Sequence, residues 1–156
     1  MPGSVTADQI RTWIDDDLVE SVERIPDSAA EFNFAVEMPN VLVHVIRRRS
    51  EGPLLIGQQI EFGADIRSRI RELTPVERHT LLTRIREAFI EIPVVYGFQN
   101  SAGANVPFEE MSMVFLEQRI YSDGLSQHTL MTGLIDIWKA MRYLDDIVSL
   151  LDTVEQ

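Results

Sequence analysis

The side chains able to do chemistry in this chain are few and scattered. His44, His79 and His128 are its only histidines, and no HExxH or other paired spacing joins any two of them. A zinc site would need long-range convergence, so no metal is expected. His44 shares a strand face with Leu42 and Ile46 and reads as a hydrogen-bonded core histidine. His79 reads as surface helix. His128 lies in the first turn of a helix, where positive charge is disfavoured, and is expected to be neutral. Asp15, Asp16 and Asp17 offer three carboxylates, but consecutive helical residues fan around the axis and cannot close on one cation. A solvated face is expected there, and likewise at Glu109–Glu110 and Asp145–Asp146. Ser126 and His128 stand close together without a nucleophile elbow to frame them. Lys139 is the only lysine and falls mid-helix, so there is no Walker A motif, and no GxGxxG follows a strand. The absence of cysteine excludes disulfides, thiol nucleophiles and thiolate-held metals. No catalytic set and no cofactor site emerges.

One charged run stands apart. The segment VLVHVIRRRS ends in Arg47, Arg48 and Arg49, yet the chain carries a net charge of −11. Residues 1–40 hold 2 basic and 9 acidic side chains, residues 41–90 hold 9 and 6, and residues 91–156 hold 3 and 10. A basic middle third inside an acidic chain can serve an acidic partner. It can equally lie against the acidic flanks of its own fold or of a second subunit. Strand alternation sends Arg47 and Arg49 to one face and Arg48 to the other, so the three cannot meet one ligand. Solvated charge guarding a strand end is the preferred reading over a nucleic-acid site.

The elements that must position these residues follow from periodicity. A single domain over 1–156 is expected, with 45% hydrophobic and 25% charged residues, ordinary globular values. No run approaches the ~18 apolar residues of a membrane span. MPGSVTADQI lacks the marks of a signal peptide, which predicts a cytoplasmic protein. Thirteen arginines against one lysine, with 25 acids, point to a high-GC, salt-adapted source. An acidic surface of this kind repels nucleic acid and anionic lipid in dilute buffer.

A capping box, Thr6 to Gln9, opens a predicted helix whose stripe runs Ile10, Ile14, Leu18, Val22, Ile25 up to Pro26. Three strands are predicted next: EFNFAVEM, then VLVHVIRRR after a Pro39–Asn40 turn, then LLIGQQIEF after the turn at 51–53. Helices follow in GADIRSRIREL and, from the Thr74–Glu77 capping box, to Pro93, with Leu82, Ile85, Phe89 and Ile92 inward. VVYGFQ and EMSMVFLEQRIYS read as strands around the loop 100–107. Ser126 caps a last helix, where Leu130, Leu134, Ile137, Met141, Leu144, Val148 and Leu151 keep a 4-3 spacing. Beyond Lys139 a second stripe adds Ala140, Tyr143, Ile147, Leu150 and Val154, more than one sheet can cover. A break at Gly133 is the alternative to one long helix.

This order, with EFNFAV at 31–36, VHVIR at 43–47 and RIYSDGLSQHTLM at 119–131, resembles an archaeal family of unknown function with the type III secretion chaperone-like fold. The resemblance implies an α+β, two-layer domain in the order α-β-β-β-α-β-β-α, a mostly antiparallel sheet packed by helices, often dimeric, with no established activity. The expectation is a non-enzymatic, chaperone- or adaptor-like interaction module that forms a homodimer and binds an unidentified protein partner. Its contact residues are expected at Met131, Trp138, Tyr143, Ile147 and Leu150, with Arg47, Arg48 and Arg49. Arg67 could join the arginines against an acidic partner. The alternative is a small-molecule-binding protein or enzyme with a site near Tyr96, His44 and the 100–107 loop. No membrane and no nucleic-acid partner is expected.

Overall fold

The computed structural model describes residues 5–154, with side chains through residue 149. Its chain gathers into two compact units, Met1–Gln58 with Glu117–Trp138 and Gln59–Leu116 with Lys139–Gln156.

In the first unit, α1 (Ala7–Trp13) begins at the expected capping box, with Thr6 Oγ1 and the Gln9 side chain each accepting the other residue's backbone N–H. It does not run on to Ile25. The helix ends at Ile14, and residues 21–24 form a strand, β1 (Ser21–Arg24). The three aspartates explain the break. They would sit at the negative end of the helix dipole, and Asp15 Oδ1 instead accepts the Asp17 N–H in a local turn. Leu18, expected on the buried stripe, is 46% exposed, whereas Val19 is buried.

The next strands are β2 (Phe32–Met38), β3 (Val41–Arg47) and β4 (Leu54–Glu61), each antiparallel to its predecessor, with β1 on the outer side of β2. Asn40 turns the β2–β3 hairpin at φ 62°, a left-handed conformation that asparagine tolerates. Paired residues share a face. Phe34, Val36, Val43, Val45, Leu54 and Ile56 are buried on one side. Ala35, Leu42, His44, Ile46, Leu55 and Gly57 form the other side, where Leu42 is exposed and His44 and Ile46 are half-buried.

The last helix, α4 (Gln127–Val154), is continuous through Gly133. Ser126 Oγ accepts the Thr129 N–H, and Thr129 Oγ1 accepts the Ser126 N–H, closing the helix start. Gly133 is there for closeness. A Cβ at that position would lie 2.6 Å from Ile56 Cδ1 and 2.5 Å from Gln118 Oε1. The glycine lets the helix backbone lie against β4 and against the residue-118 end of β6 (Met113–Ile120).

In the second unit, α2 (Ala64–Glu72) and α3 (Pro75–Glu91) follow β4. Thr74 and Glu77 form the second capping box. Arg78 closes the end of α2 by donating to the carbonyls of Ile70, Arg71 and Leu73. The inward residues of α3 are Leu81, Ile85 and Phe89, with Leu82 only half-buried. Strand β5 (Val95–Gln99) carries Tyr96 and Phe98 into a row of rings, Phe89–Tyr96–Phe98–Phe108, with centroids 4.8, 6.0 and 5.1 Å apart.

The sheet order is β1-β2-β3-β4-β6-β5. The fold is therefore α+β, with a six-stranded, mostly antiparallel sheet and four α-helices among the described residues, one strand more than the sequence reading expected.

Candidate interaction surface

The arginine triplet divides at the end of β3. Arg47 keeps the parity of Val43 and Val45 and is buried, only 2% exposed. Its Nη1 donates to the Val5 carbonyl at 2.7 Å, and its Nε lies 4.0 Å from the Glu31 carboxylate. Arg47 thus braces the segment ahead of α1 and is no part of a solvated strand end. Arg48 and Arg49 leave the strand and are exposed. The chain then turns back at Gly52, whose N–H donates to the Arg49 carbonyl at 2.9 Å. A Cβ on Gly52 would come within 2.8 Å of Arg49 Cγ, so any larger residue there would push the exposed arginine stem aside.

Arg48, Arg49, Gly52, Pro53, Leu55, Glu117 and Arg119 line a depression of about 370 Å³. Pro53, Leu55 and Gly52 supply its apolar part, and Leu55 is nearly covered, at 9% exposed. Arg119 Nε donates to Glu117 Oε2 at 2.8 Å, which raises the Arg119 pKa above its ordinary value and fixes the planar head. Three guanidinium groups against one carboxylate leave the rim formally cationic, in a chain of net charge −11. A rim of forked donors around an apolar floor suits a carboxylate-bearing segment with an aliphatic neighbour.

Sequence reasoning missed Glu117, Arg119 and the floor. The available signal was parity: Glu117 and Arg119 continue the alternation of Met113 and Phe115. Nothing local tells that β6 lies beside β4.

The other expected site residues fall elsewhere. Trp138 donates its indole N–H to the Pro39 carbonyl at 3.0 Å, and Met131 Sδ accepts the Asp15 N–H at 3.4 Å. In the second unit Tyr143 is 52% exposed and Ile147 is half-buried. The Leu150 side chain lies outside the described residues. Arg67 is half-buried on α2. Tyr96 sits between Phe89 and Phe98 in the ring row. The 100–107 loop is internally bonded, with Asn100 Oδ1 accepting the N–H groups of Ala102 and Ala104, each at 3.0 Å. Ser126 Oγ is committed to the helix cap, and His79 and His128 are exposed.

His44 is hydrogen-bonded as the sequence reading expected, but it is half-buried on the more open sheet face and not in the core. Its Nδ1 lies 3.0 Å from Asn33 Oδ1, while Asn33 Nδ2 donates to Asp27 Oδ2 at 3.2 Å. Because the Asn33 amide donates to a carboxylate, its oxygen faces His44, which makes Nδ1 the protonated nitrogen. Burial lowers the His44 pKa from 6.5, favouring the neutral ring. Asp27 is held below its ordinary value by the Ala29 N–H first and by Asn33 next, with Arg48 contributing. Among the described residues no group of three histidine, cysteine, aspartate or glutamate side chains is placed to hold a metal ion.

The fold and this depression define an α+β protein with a cationic recess at one end of its sheet. The chain belongs to the family described as uncharacterized conserved protein (DUF2299), whose model matches residues 6–148. It is similar in fold to an uncharacterized protein from Methanothermobacter thermautotrophicus, with a TM-score of 0.74 at 18% identity. That match covers 91% of this chain and 95% of the other. No curated protein matches the chain. Among the described residues no helix is long and apolar enough to cross a membrane.

Proposed function

We propose that this protein is a non-enzymatic interaction module, chaperone- or adaptor-like, that works in the cytoplasm as a homodimer and receives an acidic segment of a protein. The observation that carries the reading is the recess ringed by Arg48, Arg49 and Arg119 over Leu55 and Pro53, in a chain that is otherwise strongly acidic. A charged recess of this kind selects opposite charge and suppresses like-charged partners. The resemblance to archaeal proteins with the secretion chaperone-like fold supports the reading by analogy. Duplex nucleic acid is not the expected partner, because the acidic flanks oppose its approach.

The test is paired affinity capture from the native host in native salt, using tagged wild type and a tagged Arg48→Ala/Arg49→Ala variant. A protein retained by the wild type and lost from the variant is the expected result. Identical sets retained by both would overturn the reading.

A further inference from the structure

We infer that the carboxylate taken up by the recess is a chain end: the free C-terminal carboxylate of a partner polypeptide whose last side chain is aliphatic. The inference rests on the preceding reading, that an acidic protein segment is received, and names the group of that segment that is read.

The recess offers one face and one charge. Arg48 and Pro53 continue the parity of Ile46 and Leu55, which pair across β3 and β4 on the more open side of the sheet. Glu117 and Arg119 lie on that side too, since Gln118 between them faces Gly133 of α4. Three guanidinium groups, less Glu117 within the recess and Asp27 beside Arg48, leave a single positive charge to be met. That matches one carboxylate and not a run of them. Glu51, exposed on the same turn as Gly52, further opposes an acidic run.

An internal acidic residue fits the recess poorly. Neighbouring side chains of an extended segment point to opposite faces, so an aspartate held by the arginines turns its aliphatic neighbour away from the floor. The next side chain on the same face lies about 7 Å further along. Leu55 and Pro53, however, share one depression of about 370 Å³ with the guanidinium groups. A terminal leucine or valine carries its carboxylate and its branched side chain on the same Cα. The volume agrees, being near the small end of ligand sites, roughly 300–1,000 Å³, with room for a terminal residue and little more. Nor can the segment bind through its backbone as an added strand, because β4 already has β3 on one side and β6 on the other.

The donors suit a carboxylate. Arg119 is oriented in advance by Glu117 and, more weakly, by Tyr121. Arg48 and Arg49 are exposed and bring forked donors able to engage both oxygens. The residues ahead of the chain end also have a path. From the recess the sheet face runs through half-buried Ile46 and His44 to exposed Leu42.

The experiment is fluorescence anisotropy on the full chain with a fluorescein-labelled hexapeptide ending in alanine, valine and leucine and bearing a free carboxylate. The comparison probes are the same peptide amidated, the same peptide ending in serine, and an amidated peptide with internal aspartates. The free leucine end is expected to bind. Amidation should weaken it about 10- to 100-fold through lost charged hydrogen bonds, and the serine end about tenfold through lost apolar burial. Arg48→Ala/Arg49→Ala should cost as much as amidation while leaving circular dichroism unchanged. Equal binding of free and amidated peptides, or full binding by the arginine variant, would overturn the inference. Tighter binding of the internal-aspartate peptide, lost from the arginine variant, would overturn the chain end and leave the acidic-segment reading standing. Isocaproate that displaces the probe as well as unlabelled peptide does would overturn it in favour of a small carboxylic acid. Binding of none of the peptides would overturn it too, and the capture experiment would then decide the parent reading alone.

Discussion

Gly133 carries a prediction whose magnitude can be worked out. Gly133→Ala in the interior of α4 should gain about 1 kcal/mol of helix propensity. Against this, the new Cβ would stand 2.6 Å from Ile56 Cδ1 and 2.5 Å from Gln118 Oε1. Carbon pairs are comfortable near 3.5–4.0 Å, so Ile56 must move by roughly 1 Å. Ile56 is fully buried, and pushing it off its rotamer costs about 1–3 kcal/mol. Gln118 must also swing away from Asp136, which it now bonds at 3.3 Å, for about 0.5–1 kcal/mol more. The net is a loss of roughly 0.5–3 kcal/mol, or about 1–12 °C in Tm for a chain of this size. Urea and thermal unfolding followed by circular dichroism would measure it. Trimming Ile56→Val removes the clashing Cδ1, so the double variant should lose less than the two single losses added together. A rise in Tm for Gly133→Ala, or strict additivity in the double variant, would refute the close-approach argument.

Further outcomes follow from the same structure. Arg47→Ala should cost about 2–4 kcal/mol through the cavity it leaves. Arg47→Met should stay within about 1 kcal/mol of wild type, since it fills the space and exchanges one charged hydrogen bond for relief of a buried charge. Equal losses in urea would contradict this account of the brace. His44 has a folded-state pKa below its unfolded 6.5, so its contribution to stability is full above that pH. The contribution falls as pH drops below 6.5, where only the unfolded chain takes up the proton. His44→Gln should flatten that limb of the stability–pH curve, and an unchanged limb would rule the histidine out. Asp27, held below its ordinary 3.8, is lost only at lower pH still. With a net charge of −11, the fold should melt at higher temperature as KCl is raised and self-repulsion is screened, and a falling Tm would argue against it.

Much of the fold could be read locally. The hairpin at Asn40, strands β2 to β4 and both capping boxes depend on neighbours a few residues apart, and sequence periodicity reports such neighbours well. β1 was hidden because Leu18, Val22 and Ile25 happen to keep helical spacing. What overrides that spacing is the position of three aspartates at a helix C-terminus and the availability of β2 as a pairing edge. Gly133 reads as a helix breaker until Ile56, 77 positions away in sequence, is placed against it. The site was half legible. The arginines announce themselves by charge, and Arg47 could have been set apart by its parity with Val43 and Val45. Glu117, Arg119 and Leu55 join them only through the pairing order of the sheet, a long-range fact that no local pattern encodes.

The central claim is that the protein works as a homodimeric interaction module with a cationic recess on each copy. Light scattering on the wild-type chain, across a range of protein concentrations in dilute buffer and then with added salt, tests it most directly. The account predicts a particle of twice 17.8 kDa that persists as salt is added. A particle of 17.8 kDa at every concentration would contradict it.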